Sequence, residues 1–361
     1  MTKICPKLPN NSLPLLPPKK TFESKAIFKQ LIKTHRALAE LKGYSEKLPN
    51  MSLILNSIVL QEAKDSSEIE NIITTHDDLY KAISLNNFKG SPEAKEVLKY
   101  QQALFTGHRL IKKNKILTTN MIIEIQQVIE ENRAGFRKIP GTTLMNDKTE
   151  EVMYTPPDNF DDITRLMSNL EKFLNDTQDE LDPLLKLAIQ HYQFEAIHPF
   201  YDGNGRTGRI INVLYLVLCD LLKEPFLYLS SYIIKNKSTY YSLLRGVTYN
   251  DAWEDWIMFM LIAIEKTSLQ TLEMSYKIVD AINTVTEMIK NNHPKIYSKE
   301  LVEILFSKVY TKISDLVEMK IASRNIASQY LKELEPHILI SKKIGRETLY
   351  INKILFDLLK S

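Results

Sequence analysis

Apolar residues recur every three or four positions through most of the first half of the chain, as in IFKQLIKTHRALAELKGY and EVLKYQQALFTGHRLI. This spacing places apolar side chains on one face of an α-helix. The same period resumes at DDITRLMSNLEKFL and continues to about Lys290, with breaks at HPFYDGNGRTGR and at KEPF. The pattern predicts a mainly α-helical protein.

Two stretches depart from this helical period. The first twenty residues hold five of the 15 prolines, which exclude long helices, so we expect an extended arm laid over the surface. Between Gly135 and Pro157, β-branched residues stand on both sides of NDKT and a Pro-Pro pair ends the stretch. This second stretch predicts a short β-hairpin.

Residues 291–361 have the pattern of a separate module, which begins with the linker NNHPKIY. SKELVEILF, KISDLVEM and SRNIASQYLKELE predict three short helices, and HILISKKIGRETLYIN predicts two strands joined by a Gly-containing turn. Three helices and a hairpin are typical of a winged helix-turn-helix domain. Residues 323–335 are then in the place of its recognition helix.

Composition and charge narrow the class of protein. With 361 residues, 44% of them hydrophobic, the chain is long enough for two or three domains and a sizeable core. MTKICPKLPN lacks the apolar segment of a signal peptide and no apolar run approaches the roughly 18 residues of a membrane span, so we expect a cytoplasmic protein without a membrane partner. Cys5 and Cys219 are too few for a disulfide framework or a zinc site. The net charge of +3 decides nothing about nucleic acid.

The break HPFYDGNGRTGR, residues 198–209, holds three of the 10 glycines of the chain. Gly203, Asn204 and Gly205 allow successive backbone N–H groups to point at one spot, and they lead into a helix that we expect to begin near Arg206. Unpaired N–H groups and the positive end of a helix dipole together make an anion site.

Charged residues surround this predicted anion site. Arg206 and Arg209 are three positions apart and share a helix face, from which both can bind phosphate oxygens. So much positive charge suits a polyphosphate, and Asp202 at the lip of the loop can hold the accompanying magnesium. His198 follows a helix, and its ordinary pKa of about 6.5 suits a proton acceptor near neutrality. Each feature alone is common; their combination predicts a nucleotide, magnesium and a base.

At this point the chain resembles the Fic family. HPFYDGNGRTGR matches every specified position of the family signature, His-x-Phe-x-Asp/Glu-Gly-Asn-Gly-Arg-x-x-Arg. SSEIENI is similar to the inhibitory helix of the family, Ser/Thr-x-x-x-Glu-Gly/Asn, through Ser66, Glu70 and Asn71. TTLMNDKTEEVMYTPP lies where the family has its flap hairpin, and a winged helix is appended to many bacterial members.

The resemblance implies a fold and a division of the chain. The fold is mainly α: a Fic-type helical bundle with a short β-hairpin flap, followed by the C-terminal winged helix-turn-helix domain. Residues 1–94 would form the N-terminal arm and the helical region with the inhibitory helix. Residues 95–285 would form the catalytic core, and residues 291–361 the winged-helix domain.

The resemblance also implies an activity, since Fic proteins mostly transfer AMP from ATP to a hydroxyl of a target protein. His198 would deprotonate a Ser, Thr or Tyr hydroxyl of an unidentified target, and Asp202 would hold magnesium between the α- and β-phosphates. Phe200 would be a buried anchor. The remaining signature positions would bind the nucleotide: Gly203, Asn204 and Gly205 at the α-phosphate, Arg206 at the β-phosphate, Arg209 at the γ-phosphate, and Thr207 and Gly208 within the same stretch.

Two further contacts follow from the family pattern. Residues 145–154 would bind the target backbone as an added strand and so set the hydroxyl beside the base. Tyr240 and Tyr241, in STYYSLL, are candidates for the apolar slot that holds adenine. A tyrosine at helical spacing is at least as often part of the core, and this alternative stays open.

Glu70 is implied to pair with Arg209 and to block the γ-phosphate position, which makes the enzyme self-inhibited. The alternative within the same site is a de-AMPylase or a bifunctional enzyme, in which Glu70 aligns a water that removes AMP. Another alternative is transfer of a different phosphate-linked group, although the kinase-like branch departs from the glycine loop that is intact here.

A nucleotide-responsive DNA-binding regulator is the alternative from a different class, and its support is the C-terminal module. From Asn291 onward 12 Lys and Arg stand against 8 Asp and Glu, a modest excess that suits a protein partner about as well. Self-modification and a homodimer stay open, and the sequence does not name the target protein.

Overall fold

A computed structural model describes residues 4–22, 24–48, 51–84, 91–146, 149–178 and 180–360, with the side chains of residues 52 and 53 left out. The first part of the chain is helical, as predicted. Its helices are α1 Lys25–Ser45, α2 Met51–Ile69, α3 His76–Ser84, α4 Pro92–Asn114 and α5 Thr119–Glu130.

The predicted hairpin is confirmed. Strands β1 Leu144–Met145 and β2 Val152–Tyr154 pair antiparallel, with Leu144 opposite Tyr154. The centre of its turn, at residues 147 and 148, lies outside the described residues.

Helices fill the rest of the predicted core: α6 Phe160–Asn175, α7 Pro183–Ile197, α8 Asn204–Leu218, α9 Ser230–Lys235, α10 Lys237–Asn250 and α11 Trp253–Asn292. The breaks at HPFYDG and KEPF fall where the periodicity predicts them. Helix α8 begins at Asn204, two residues earlier than expected, because Gly203 (φ +75°) takes the left-handed conformation that lets the chain turn into the helix.

Helices α7 and α8 form the centre of the molecule. Both bury side chains on nearly all sides, so each is enclosed by other elements rather than lying at the surface. Neither they nor any other helix in the described part of the chain is long and apolar enough to cross a membrane. The loop between α7 and α8 is therefore attached at both ends to closely packed helices.

The C-terminal module contains the three predicted helices and the predicted hairpin, together with one strand and one helix that the sequence did not indicate. Its elements are α12 Lys299–Ser307, β3 Tyr310–Thr311, α13 Ile313–Glu318, α14 Arg324–Leu334, β4 Leu339–Ile344, β5 Glu347–Asn352 and α15 Lys353–Lys360. The strands form one sheet in the order β3-β5-β4, with both pairs antiparallel. The winged-helix assignment stays a prediction, as does the division at residue 285, which lies inside α11.

The N-terminal arm packs against the core, as expected for an extended segment laid over the surface. Leu13 and Leu16 are buried. The Leu16 N–H donates to Asn169 Oδ1 of α6 at 2.7 Å, and Gln193 Nε2 of α7 donates to the Pro14 carbonyl at 2.8 Å. The arm thus covers the helices that support the signature loop.

Candidate active site

The signature loop, residues 198–203, joins the end of α7 to the beginning of α8. His198 caps α7 in the left-handed conformation (φ 49°, ψ 59°), and its N–H donates to the Phe194 carbonyl. Asn204 closes the loop from the other side: its Oδ1 accepts from the Phe200 N–H and its Nδ2 donates to the Phe200 carbonyl, both at 2.8 Å. Phe200 is fully buried, as an anchor should be. Residues of the signature therefore help to fix the loop from within.

The N-terminus of α8 presents backbone N–H groups that have no partner within the helix. Gly203 N–H already donates to Asp202 Oδ1 at 2.7 Å, and Thr207 N–H is the first to bond back, to the Gly203 carbonyl. Because the side chain of Asn204 holds the loop together, its expected contribution to a phosphate site is its backbone N–H. The predicted anion site thus has its geometric basis at the start of α8.

Glu70 lies directly against this helix N-terminus. It follows the last residue of α2, and its two carboxylate oxygens bind both signature arginines: Oε1 lies 2.8 Å from Arg209 Nη2 and Oε2 lies 3.0 Å from Arg206 Nε. A Cβ added to Gly205 would clash with Glu70 Oε1 and would stand 2.8 Å from Arg209 Nη1. Glycine at position 205 is what allows a carboxylate to approach the backbone so closely.

Arg209 is almost fully buried and is held by the end of α2. Its Nε donates to Ser66 Oγ at 2.7 Å and its Nη2 donates to the Ser66 carbonyl at 2.8 Å. The carbonyls of the last turn of a helix lack partners within the helix and lie at the negative end of its dipole. Burial lowers the pKa of Arg209, but the charge of Glu70 raises it, and the net direction is upward.

Arg206 is bound by three carboxylates, two of which the sequence analysis missed. Besides Glu70, Glu96 of α4 lies 2.8 Å from Nη1 and Glu130 at the end of α5 lies 2.6 Å from Nη2. We call Glu70, Glu96 and Glu130 the carboxylate collar. Glu130 also approaches the loop, since a Cβ on Gly203 would stand 2.6 Å from its Oε1. No short motif announces Glu96 or Glu130, because only the packing of α4 and α5 brings them to Arg206.

His198 is suited to accept a proton. Burial, and to a smaller extent the charge of Arg137, lower the pKa of its ring to about 4, against the opposing effects of a bond to the Glu195 backbone and of Asp202. A ring with this pKa is neutral near pH 7, so it holds a free lone pair.

Arg137 is a third site residue that the sequence did not predict. Its Nε donates to the His198 carbonyl at 2.8 Å, and its Nη2 donates to the carbonyls of Ile197, at 3.4 Å, and of Pro157. Its own N–H donates to the Pro199 carbonyl at 2.9 Å. One buried side chain thus holds the backbone of the signature loop where the base is attached.

Two further glutamates that interact with Arg209, the buried Glu62 and the partly buried Glu195, were also not predicted. Glu62 lies on α2, on the same face as Ser66 and Glu70, and accepts from the Ser230 N–H at 2.8 Å and the Ser230 hydroxyl at 2.6 Å. Glu195 lies one turn before His198 on α7. Burial raises the pKa of both carboxyls to about 7, while Arg209 lowers each of them. Both groups therefore change charge near neutral pH.

The remaining predicted residues lie outside this polar cluster or serve helix packing. Tyr240 is buried, with its hydroxyl 2.9 Å from His191 Nε2 and its ring against Trp256, so it occupies the core as the alternative interpretation describes. Tyr241 is 41% exposed beside it. Thr207 is buried, and a Cβ on Gly208 would stand 2.6 Å from Glu195 Oε1. An adenine contact for either tyrosine stays a prediction.

Asp202 has the chemistry expected of a magnesium ligand that acts with a nucleotide. Its side chain is exposed at the lip of the loop, and one oxygen accepts from Gly203 N–H. Within the described ranges no group of three or more His, Cys, Asp or Glu forms a closed metal cage. Magnesium on a nucleotide needs only one or two carboxylates besides phosphate oxygens and water, so this donor set fits it.

Comparison with known proteins decides the family. The model described as Fic/DOC family matches residues 116–216, and the model described as Fic/DOC family N-terminal matches residues 28–109. The model described as protein adenylyltransferase SoFic-like, C-terminal domain, matches residues 282–355. The chain belongs to the Fic family.

Individual Fic proteins support the same placement. A protein of Aedes aegypti named protein adenylyltransferase Fic is 31% identical over 125 residues, which are 34% of this chain and 24% of that protein. A probable protein adenylyltransferase of Aquifex aeolicus is 27% identical over 198 residues, 53% of this chain and 55% of that one. The chain thus spans about a quarter to a half of these two curated relatives.

A solved Fic family protein from Desulfovibrio desulfuricans G20 shares the fold along most of the chain. Its TM-score is 0.60 at 17% identity, and the match covers 93% of this chain and 98% of the other. The likeness therefore includes the C-terminal module as well as the Fic core.

Proposed function

We propose that this Fic protein transfers AMP from ATP to a Ser, Thr or Tyr hydroxyl of a protein, and that Glu70 holds it in a self-inhibited state. The observation that carries the proposal is the meeting of three groups at one loop: the neutral ring of His198, the unpaired N–H groups of α8, and the side chains of Arg206 and Arg209. A base, an oxyanion site and two phosphate-binding forks are what nucleotidyl transfer requires.

The reaction begins with proton removal. The ring of His198 accepts the hydroxyl proton of the target, and the hydroxyl oxygen attacks the α-phosphorus of ATP. The bond from that phosphorus to the bridging oxygen breaks, and pyrophosphate leaves. The N–H groups of α8 stabilise the charge on the α-phosphate oxygens, and Arg206 and Arg209 neutralise the pyrophosphate. Asp202 would hold a magnesium ion, which would neutralise further negative charge on the phosphates.

The position of Glu70 supports the proposed self-inhibition. A carboxylate that binds Arg209 at 2.8 Å and Arg206 at 3.0 Å uses the same N–H donors that the terminal phosphates need. ATP can still reach the loop, but its triphosphate is then displaced from the line of attack. Removal of Glu70 is expected to restore the productive position.

The decisive experiment uses two labels on ATP. Glu70→Gly and wild type are incubated in a cell lysate with ATP labelled at the α-phosphate or at the γ-phosphate, and labelled proteins are identified by mass spectrometry. We expect label from the α-phosphate only, a mass increase of one AMP, and more labelling by Glu70→Gly than by wild type. Transfer of the γ-phosphate would show a kinase, and no covalent label in either variant would overturn the proposal.

The hydrolytic direction is a second candidate because Glu70 keeps contact with water. Its side chain is 24% exposed, whereas the side chains of Arg206 and Arg209 are 3% and 2% exposed. A carboxylate reachable by water beside the phosphate site can align a hydrolytic water molecule. A protein labelled by Glu70→Gly and then incubated with wild type separates the directions: loss of AMP with wild type alone assigns Glu70 to hydrolysis.

DNA binding through the C-terminal module stays a prediction with its own test. A gel-shift assay over a salt series would show affinity that falls steeply with salt if the basic residues bind phosphates. Absence of a shift would leave protein contact as the role of this module.

A further inference from the structure

We propose that Arg137 is a positioning residue for His198: it fixes the backbone of the base through carbonyl contacts while it does not touch the substrate. The inference rests on the proposed function. Its starting observation is that the Arg137 side chain donates to the carbonyl of His198 itself, at 2.8 Å, and to that of the preceding residue, at 3.4 Å. Its backbone N–H holds the carbonyl of the next residue, Pro199.

The contacts of Arg137 hold the two carbonyl groups on either side of the His198 backbone. His198 has φ 49° and ψ 59°, a left-handed conformation that few residues other than glycine adopt, although histidine adopts it more often than most. The carbonyls of Ile197 and His198 come after the last hydrogen-bonded turn of α7 and need donors from elsewhere. A guanidinium whose donors form a planar, rigid fork can hold both carbonyls in one arrangement.

The segment around Arg137 supports the loop at further points. The ring of Phe136 packs against that of Phe200, with 5.5 Å between centroids. The hydroxyl of Tyr201 accepts from the N–H groups of Lys138 and Ile139, at 2.9 and 3.2 Å. Residues 136–139 therefore contact the signature loop from His198 to Tyr201 and hold its backbone in place.

The surroundings of Arg137 indicate a role other than stabilising the fold. It is 1% exposed, and its side-chain partners among the described residues are carbonyl oxygens rather than carboxylates. Its Nη1 is buried without a hydrogen-bond partner in the described structure. A buried charge without an ion-pair partner costs stability that a well-packed apolar residue would not.

The charge of Arg137 gives the role a signature that packing alone would not have. The charged and titratable groups that face His198 are Arg137, Asp202 of the loop and Glu195, which lies one turn earlier on α7. Arg137 itself faces Asp158, Tyr154 and Tyr201. Among these groups Arg137 is the one whose charge lowers the pKa of His198. Removal of this charge should therefore move the pKa of the ring upward.

The experiment compares Arg137→Met and Arg137→Lys in the Glu70→Gly background of the full chain. Arg137→Met keeps the apolar stem and loses the charge and the donors; Arg137→Lys keeps the charge and one donating group. The rate is transfer of AMP from α-labelled ATP to the acceptor found for Glu70→Gly. We expect Arg137→Met to lower kcat by about 10- to 100-fold with little change in KM for ATP, since a displaced base costs this much. Arg137→Lys should recover part of kcat.

The second readout does not depend on activity. The pKa of the His198 ring is measured by NMR titration of the imidazole signals, assigned by comparison with His198→Gln. Arg137→Met should raise this pKa and Arg137→Lys should leave it low. Asn175→Ala, which loses two hydrogen bonds to Leu117 far from the loop, is the control for general destabilisation.

The outcomes separate the possibilities. A folded Arg137→Met protein with kcat within about twofold of its parent and an unchanged pKa of His198 would overturn the positioning role. An equal loss of kcat in Asn175→Ala at matched folded fraction would do the same, because it would attribute the loss to destabilisation. If Glu70→Gly transfers nothing at all, the proposed function fails while the NMR titration still tests Arg137.

Discussion

The signature loop and the carboxylate collar meet at the N-terminus of α8, but they are held in place by different forces. The loop is fixed by hydrogen bonds to its backbone, both from near neighbours such as Asn204, which pairs with the backbone of Phe200 four residues earlier, and from Arg137, which is 61 positions from His198. The collar is made of ion pairs whose partners are 76 to 139 positions apart in the chain.

Because of this difference, the hydrogen bonds of the loop should persist when a ligand binds, whereas the ion pairs of the collar can be replaced. A phosphate cannot replace the neutral bonds that hold the loop, because they use amide groups already paired with each other. A phosphate can replace a carboxylate on Arg206 or Arg209, because both are oxyanions that accept from the same guanidinium. On the proposed function, the loop would be the fixed catalytic part, and the collar would be the part that a nucleotide displaces.

The largest expected effect tests the fixed part. In the Glu70→Gly background, His198→Ala should lower the rate of AMP transfer by about 100- to 10,000-fold, the usual cost of a lost general base. Nucleotide binding should persist, since His198 acts on the target hydroxyl. Transfer is measured with α-labelled ATP and binding by calorimetry. Loss of ATP binding together with transfer would show that His198 holds the loop rather than acting as the base.

The next effect tests the exchangeable part. Glu70→Gly should raise the rate of AMP transfer by about 10- to 100-fold, which corresponds to the roughly 1.5–3 kcal/mol of hydrogen bonds to charged groups. Glu70→Gln, which keeps the shape and loses the charge, should give a smaller increase. The measurement is label incorporation at matched folded concentration.

The double variant Glu70→Gly, Arg209→Ala is its control. It should lose the gain, because the γ-phosphate then has no guanidinium to bind. A Glu70→Gly protein that is folded, binds ATP and transfers no faster than wild type would remove self-inhibition, since a merely structural ion pair predicts a less stable and less active variant.

The sequence predicts the fixed part well because its physics is local. Glycines at 203 and 205, Asn204 and the arginines three positions apart act within one loop and one helix turn, and the flanking apolar periods predict α7 and α8. The hairpin and the helices of the C-terminal module follow from equally local patterns. Strand β3 has only two residues, too few to form a period, and was not predicted.

The collar and Arg137 could not be predicted in the same way. Glu96 and Glu130 lie on amphipathic helices among many other charged residues, and only tertiary packing distinguishes them from solvated glutamates. Glu70 was found solely through the resemblance to the inhibitory motif. Tyr240 has the period of a core residue and the chemistry of a base-stacking residue, and the two interpretations separate only when its neighbours are known.

A smaller effect tests whether the whole collar competes with the nucleotide. Glu96→Gln and Glu130→Gln should each tighten ATP binding by about two- to fivefold, the range that partly exposed ion pairs support. Arg206 keeps two carboxylates in either variant, so folding should be little affected. Affinity is measured by calorimetry with magnesium-ATP.

Glu131→Gln is the matched control for this test. Glu131 is adjacent to Glu130, its side chain is 71% exposed, and it pairs with Lys99 instead of Arg206. Equal affinities in all three variants and wild type would show that Glu70 alone competes with the nucleotide.

The smallest effect is a pH dependence that should be nearly flat where an ordinary histidine would titrate. Burial lowers the pKa of His198 to about 4, so the ring keeps its lone pair as the pH falls from 8 to 5.5. In Glu70→Gly, protonation of His198 should change the rate of AMP transfer by less than about twofold over this range, whereas a base with the reference pKa of about 6.5 would lose most of its activity. The contribution of His198 is separated from that of Glu62 and Glu195, whose pKa is about 7, by repeating the measurement with both changed to Gln.

The stability of the protein also changes with pH, and this change limits how far the pH can be lowered in the rate measurement. Between pH 6.5 and 4, His198 is protonated in the unfolded chain but neutral in the folded protein. The free energy of unfolding therefore decreases as the pH falls through this range. Each rate is therefore divided by the folded fraction from circular dichroism at the same pH. A corrected rate that halves near pH 6.5, with Glu62 and Glu195 changed to Gln, would show that His198 has the pKa of a solvated histidine. The lowered pKa assigned to His198 at the end of α7 would then be wrong.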